Sequence, residues 1–586
     1  MAIAFAFGAT MVASEAAYEL VVIAFLLSAT IAVSAAWATR ALRFPPTWLD
    51  AIVALLAAWL ILVVLQSDAI ATSASGSLRI GLLFLAYLAA RWLPVDSVHS
   101  AVFCTVLAAC AIVVWGHFAL GTSLGGSFVY RHMFAVTVLV GAMLGVGSIS
   151  SGRILGNFAL IIAGTLVFLL IGLGGSRGVL LSAIAGVVVA LVLGNRANRI
   201  KGGYLIAGGI IGLIAANLLL AGHLSSRIAT LSEPLEAGRI RFVLWKSVLP
   251  LIEASPITGY GPGMLQHVWP PFRAVNENTA GYFAHNSYLD FAVAGGIPAM
   301  LMVIGLFLLA LHAAWRAKAA WPAAALTVLF IHGLVDFTLL VSSPLFLLGI
   351  TLATLAPHAR PLATGVAPVF RRWTLLMGST FLLGFTVYAV TSVVGYYHQH
   401  VAAERFSAGD VNDAFERLSS AIRWWPSADL PRTQRAHVLA VTVLESEGAS
   451  TNPMIATAFS VAQNDAANAI RINPFGISGY LTAARVARAG HALGLAPMGD
   501  QESEDLLRTA LSRNPRSITV RMELAEILRE RGEREVALAV LMGGIAYKRT
   551  WSPSLDAYHA AARELATALG DDEALARIPQ NQRVPI

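Results

Sequence analysis

Residues 281–300 read GYFAHNSYLDFAVAGGIPAM. Polar and aromatic residues give way within a few positions to an apolar run that continues to Leu311. A run of that length is a membrane helix entered from an aqueous side. Its entrance carries His285, Asn286 and Tyr288, with Asp290 about one helical turn further in. A histidine, an amide and a carboxylate at the edge of hydrocarbon need a setting that explains them.

The whole chain supplies that setting. Its 586 residues are 57% hydrophobic and 12% charged, too apolar for a water-soluble globular protein, so the chain is a polytopic membrane protein. The charge is unevenly divided. Residues 1–396 hold 11 of the 33 acids and 20 of the 40 Lys and Arg, a balance of +9, while residues 397–586 hold the remainder, a balance of −2. Two regions in different solvents follow. The basic clusters lie between apolar runs, where they encode orientation, and nucleic acid is not an expected partner. Cys104 and Cys110 fall in one apolar run and give no disulfide or metal pattern. The first residues lack a basic leader and Glu15 and Glu19 follow, so the first hydrophobic segment reads as retained.

Apolar runs long enough to cross about 30 Å of hydrocarbon number roughly twelve. They fall near 18–38, 49–66, 79–95, 99–119, 133–150, 154–173, 178–194, 203–222, 287–311, 321–340, 343–357 and 373–396. The short connections RALRFPP (40–46), RWLPVD (91–96), SGR (151–153), NRANRIK (195–201), WRAKAAW (315–321) and HARPLATGVAPVFRRW (358–373) carry basic residues and are assigned to the cytoplasm. The outer side then receives SDAIATSASGS (67–77), the 121–133 loop, GLGGSRG (172–178), a long segment from about 223 to 286, and the C-terminal region. Arg131, Arg177, Arg239 and Arg241 are exceptions, because orientation does not call for arginine on that side.

Residues 397–586 read as a soluble helical domain. AIRWWP (421–426), AIRINP (469–474) and ALSRNP (510–515) each end an amphipathic pattern, at offsets of 48 and 41 residues. Alanine permits close helix approach and proline ends the helix. Residues 516–541 show a helix, a turn at Gly532 and a second helix, a pattern that resembles degenerate tetratricopeptide hairpins. A plain helical bundle is the other reading. The expected fold is therefore all-α, a membrane bundle over residues 1–396 with a soluble repeat domain over 397–586.

Within the outer segment, Ile240, Val243, Leu244, Val248, Leu251 and Ile252 recur at helical spacing, so 239–253 predicts an amphipathic helix at the membrane surface. It would hold Arg239, Arg241 and Lys246 near headgroup phosphates, and GYGPG (259–263) turns the chain back toward the membrane. Around Arg177, Gly172, Gly174, Gly175 and Gly178 leave room beside the guanidinium, a combination suited to a phosphate ester; snorkelling of the arginine is the plainer reading. Histidine can accept a hydroxyl proton near neutral pH, which makes His285 a candidate base, with Asn286 and Tyr288 able to fix its ring. A water- and headgroup-bound interfacial histidine is the alternative. His332 and Asp336, at i and i+4 in FIHGLVDFTLL (330–340), read as a pair on one helix face with a supporting role. No ligand spacing for a metal is evident.

GSRG, RIRFVLWKSVLPLIEASPITGYGPG, HNSYLDFAVAGGIPAM and HGLVDFTLL together resemble the O-antigen ligase and polymerase superfamily of bacterial membrane glycosyltransferases, over about residues 120–355. The resemblance implies transfer of a glycan from an undecaprenyl-pyrophosphate carrier to an acceptor hydroxyl on the periplasmic face of the inner membrane. It implies inversion at the anomeric carbon, with no metal and no cofactor. In that reading His285 is the base, and Arg177, Arg239, Arg241 and Arg131 are the pyrophosphate ligands. Asn286, Tyr288 and Asp290 position the histidine or acceptor, and His332 and Asp336 support them. The acceptor implied is lipid A core for a ligase, a carrier-linked repeat for a polymerase, or a protein hydroxyl for an O-oligosaccharyltransferase. The repeat-like tail, a site for a protein partner, departs from the simplest ligases. A transporter or flippase using His332 and Asp336 as a relay is the reading from another class, although the arginines gather on one face and no inverted repeat is visible.

Overall fold

The computed structural model describes residues 46–579, apart from 92, 121–130, 150–153, 221–233, 278, 280, 364–366, 445–452, 548 and 550–551; the side chains of 120, 234–239, 367–382, 385 and 443–444 are also outside the description. Among the described residues every extended element is a helix, and one backbone bridge joins Thr47 to Pro361. The membrane part comprises α1 (Trp48–Gln66), α2 (Ile70–Ala90), α3 (Val95–Leu120), α4 (Arg131–Val146), α5 (Ile154–Gly174), α6 (Arg177–Leu193), α7 (Arg196–Leu219), α8 (Pro234–Ala254), the short α9 (Leu265–Val268), α10 (Ser287–Ala317), α11 (Ala320–Val335), α12 (Ser342–Leu355) and α13 (Ala367–Ser407). Of these, α1, α2, α3, α5, α7 and α10 are long and apolar enough to span a bilayer, and α4, α6 and α11 are shorter apolar helices. The expected span 18–38 lies outside the described residues; the others fall on helices, although the helix expected over 321–340 ends at Val335.

Local chemistry accounts for the main helix boundaries and contacts. Thr47 and Asp50 form a reciprocal cap at the start of α1. The same Asp50 carboxylate accepts from Tyr87 Oη at 2.5 Å and Arg91 Nε at 3.0 Å, tying α1 to α2 through a largely buried polar cluster. Helices α5 and α7 pack backbone to backbone. A Cβ on Gly208 would stand 2.1 Å from the Ile161 carbonyl oxygen, so larger residues could not hold this spacing.

One boundary differs from expectation. The sequence places SDAIATSASGS in an outer loop with a helix beginning near 79, yet α2 starts at Ile70. Its small residues are the docking surface for the GYGPG turn: a Cβ on Gly76 would meet the Pro262 carbonyl at 2.3 Å, and Ser67 Oγ donates to the Tyr260 carbonyl at 2.8 Å. Small polar residues here are a packing requirement, not a loop signal.

That turn also completes a broken helix. In α10 the dihedrals leave the helical region at Gly295 and Gly296, the latter at φ +71°. Three carbonyls freed near the break find other donors. Tyr260 N–H reaches Val293 O at 2.8 Å, Gly261 N–H reaches Ala294 O at 2.9 Å, and Trp59 Nε1–H reaches Gly295 O at 2.7 Å. Irregular backbone is tolerated here because protein groups satisfy it.

Beyond α13 the chain forms antiparallel helices from α14 (Val411–Trp424) through α15 (Leu430–Leu444), α16 (Pro453–Ile472), α17 (Ile477–Ala492), α18 (Gly499–Arg513), α19 (Ile518–Glu530), α20 (Arg534–Ile545), α21 (Pro553–Leu569) and α22 (Asp572–Arg577). The repeated alanines Ala421, Ala469 and Ala510 lie near the ends of α14, α16 and α18 and are buried, as close helix approach requires. Gly532, at φ +86°, turns α19 into α20. The tail touches the segment between α9 and α10. Arg516 donates to the carbonyls of Ala274, at 3.0 Å, and Glu277, while Phe475 meets Tyr260 edge-on.

Candidate active site

The site is built where α4, α6 and α10 begin, α11 ends and α8 passes. Asn286 caps α10, its side-chain oxygen accepting from the amides of Tyr288 at 3.0 Å and Leu289 at 3.2 Å. The residue before this cap, His285, is held at φ +52°, a conformation uncommon for a residue with a side chain. Local anchors impose it. Ala284 N–H donates to the buried Asp290 carboxylate at 3.0 Å, and Trp245 Nε1–H approaches the His285 carbonyl at 3.4 Å. The strain is a structural observation that motivates a functional role for the imidazole.

Asp336 is the centre of the site. Helix α11 stops at Val335 and Asp336 has extended dihedrals, so it does not share a helix face with His332, contrary to the i, i+4 reading. The reason is tertiary: the Asp336 carbonyl accepts both Ser287 N–H, at 3.1 Å, and Ser287 Oγ–H, at 2.8 Å, in place of helical donors. Ser287 Oγ in turn accepts Leu339 N–H at 3.1 Å, so the entrance of α10 and the exit of α11 are stitched together.

The Asp336 carboxylate then gathers side chains from across the fold. His285 Nδ1 lies 3.0 Å from Oδ1, and Phe337 N–H donates to the same oxygen at 3.0 Å. Oδ2 lies 3.3 Å from His132 Nε2 and 3.9 Å from Arg241 Nη2. An ionised carboxylate has no proton to give, so His285 carries its proton on Nδ1 and Nε2 is left as the basic nitrogen. The Phe337 ring meets His285 edge-on at 5.1 Å and stacks on Phe283 at 4.2 Å, fixing the imidazole from the apolar side.

The remaining predicted residues fall into two groups. Arg241 is partly exposed and faces the carboxylate; Arg131 is exposed at the start of α4, next to His132. Arg177 opens α6, because Gly175 takes φ +64° and Ser176 caps the new helix. The following Gly178 lies against the His332 ring, where a Cβ would stand 3.4 Å from Nε2. The Arg239 side chain lies outside the described residues. The expected hydrogen bonds from Asn286 and Tyr288 to the His285 ring are not among those of the described residues: Asn286 spends its oxygen on the helix cap, and Tyr288 Oη–H donates to the Phe330 carbonyl at 3.0 Å. Asp290 acts on His285 only through the preceding amide. His332 pairs through Nδ1 with Thr338 Oγ1 at 2.5 Å, not with Asp336.

Sequence reasoning misses His132. It stands beside the conspicuous Arg131, but Asp336 is far away in the chain and no local pattern announces the contact. Among the described residues no cluster of His, Cys, Asp and Glu has a metal-holding arrangement.

A histidine oriented by a carboxylate, next to an arginine and two helix N-termini, is equipped to accept a proton and to face an anion. Comparison with known proteins points the same way. Residues 158–304 match the O-antigen ligase family. The O-antigen ligase match takes in α6, α8 and the His285 junction, and it supports a membrane glycosyltransferase-type function on glycan and lipid substrates. Together with the apolar helices it makes this a multi-pass membrane protein. No curated protein matches the chain. Among solved structures, yeast Tom70 overlaps 81% of this chain and 95% of its own at 12% identity, with a TM-score of 0.21, a likeness too slight to bear on the fold.

Proposed function

We propose that the protein is an inverting glycosyltransferase of the bacterial inner membrane. It moves a glycan from undecaprenyl pyrophosphate to a hydroxyl of lipid A core on the periplasmic face. His285 Nε2 takes the acceptor proton as the hydroxyl oxygen bonds to the anomeric carbon, and the bond from that carbon to the pyrophosphate oxygen breaks. Asp336 stabilises the imidazolium that results.

The leaving group departs with added negative charge. Arg241, Arg177, Arg239 and Arg131 are the proposed cations that receive it, assisted by the N-termini of α4 and α6. The observation that carries the reading is the His285–Asp336 contact of 3.0 Å beside Arg241. Asp290 and the Asn286 cap hold the backbone that presents the histidine. The repeat-like tail is the proposed site for a protein partner.

The test is reconstitution in nanodiscs with undecaprenyl-pyrophosphate-linked glycan and three separate acceptors: lipid A core, a second carrier-linked glycan, and a serine-rich peptide. Glycosylated lipid A core is the expected product. Product only on the carrier-linked glycan or the peptide would replace the ligase assignment by a polymerase or a protein transferase.

A further inference from the structure

Asp336 has two carboxylate oxygens, and each meets a different histidine. Oδ1 is hydrogen-bonded to His285 at 3.0 Å, and Oδ2 faces His132 Nε2 at an ion-pair distance of 3.3 Å. The carboxylate side chain is 6% exposed, so few solvent donors compete for it. The two imidazoles come from distant parts of the membrane domain sequence, His132 from the first turn of α4 and His285 from the loop that enters α10. The Phe337 ring packs edge-on against both, with centroids 6.2 Å from His132 and 5.1 Å from His285. Nothing in the catalytic step as proposed uses His132.

We propose that His132 is a positioning residue that sets the basicity of His285 through the shared Asp336 carboxylate. His132 Nε2 stands 3.3 Å from Oδ2 at ion-pair distance, without the alignment of a hydrogen bond. At that distance a polar N–H draws negative charge toward Oδ2 and away from Oδ1, so the imidazolium of His285 is stabilised less than by an unshared carboxylate. A base that must release its proton after every turnover gains from that restraint. The inference rests on the proposed role of His285.

The charged and titratable groups around this carboxylate are His285 from the loop before α10, His132 from α4, His332 from α11, Arg241 from α8 and, without a direct contact, Asp290 from α10. His132 also neighbours His332, ring centroids 6.5 Å apart, so a variant that fills the His132 volume is needed to keep His332 in place. Three substitutions separate donor from volume. His132→Gln keeps an N–H at the reach of Nε2, His132→Phe keeps volume without the donor, and His132→Asn draws the donor back from Oδ2.

The test reads His285 directly. Full-length protein in nanodiscs, without glycan, is treated with diethyl pyrocarbonate, which acylates neutral imidazole, between about pH 5 and 8. Adduct on the His285 peptide is quantified by mass spectrometry. In His132→Phe and His132→Asn the midpoint of His285 reactivity should rise by roughly half to one pH unit, and His132→Gln should track the wild type. In the parallel transfer assay kcat should fall about tenfold in the two donor-deficient variants, with the KM for the carrier-linked glycan little changed. An unchanged midpoint in both donor-deficient variants overturns the assignment. A shifted midpoint in a protein whose wild type transfers no glycan supports it while removing the transferase reading, so the two failures are distinguishable.

Discussion

Replacing Asp336 by asparagine tests the site at its centre. The backbone part of the junction survives, because Ser287 bonds to the Asp336 carbonyl and not to its side chain. The substituted asparagine would therefore sit where Asp336 sits, with one oxygen changed to an NH2. If the amide oxygen stays on Phe337 N–H and His285 Nδ1, the NH2 faces His132 and the Arg241 guanidinium, donor against donor. If the amide flips, the NH2 donates to His285 Nδ1 and forces the proton onto Nε2, which removes the basic nitrogen. Either orientation loses the charge that stabilises the imidazolium. A hydrogen bond to a charged partner contributes about 1.5–3 kcal/mol. At about 3 kcal/mol the expected loss in kcat is roughly a hundredfold. Carrier-linked glycan binding should change much less, since the arginines remain. The assay is glycan transfer in nanodiscs, with kcat and KM separated. An Asp336→Asn protein that folds and keeps more than about a third of wild-type kcat would refute the reasoning.

Other perturbations probe the scaffold. Gly296→Ala should sharply lower the thermal stability of the purified protein, because the new Cβ would stand 1.9 Å from the Ile257 carbonyl oxygen at φ +71°; an unchanged melting temperature would mean that the break in α10 is not as described. Arg516→Ala removes the donors that hold the Ala274 and Glu277 carbonyls, so hydrogen exchange over residues 273–284 should speed up while the tail helices keep their protection; equal exchange in that loop would exclude the tail as its support. In the tail, Asp465→Ala leaves the Arg435 guanidinium without its two-pronged partner at 2.7 and 2.9 Å, a loss of about 3 kcal/mol expected as a lower unfolding temperature of the tail in calorimetry, and no change would assign that pair little weight.

Much of this architecture was legible because apolar run length and helical periodicity are local properties. The spans, the amphipathic α8 and the α19–Gly532–α20 hairpin follow from them directly. The HNSYLD entrance was legible as a candidate site for the same reason, since polar residues at a hydrocarbon boundary are conspicuous. Asn286 as a helix cap could also have been read, because asparagine immediately before an apolar periodic run is a start signal. What could not be read was long-range. The extended backbone at Asp336 is stabilised by Ser287, 49 residues away in sequence, and that contact turns a supposed i, i+4 pair into a hub that excludes direct pairing with His332. His132 joins the hub only through the fold. The polar start of α2 reads as a loop because nothing local says that a GYGPG turn will pack on it.

The central claim is that His285 is the base for transfer of a carrier-linked glycan. Its most direct test is a single-turnover measurement with wild type and His285→Ala in matched nanodiscs, given undecaprenyl-pyrophosphate-linked glycan and lipid A core, with donor binding measured on the same samples. The account predicts product from the wild type, and from His285→Ala full donor binding with transfer reduced by at least about a hundredfold. Transfer at near wild-type rate by His285→Ala would contradict it.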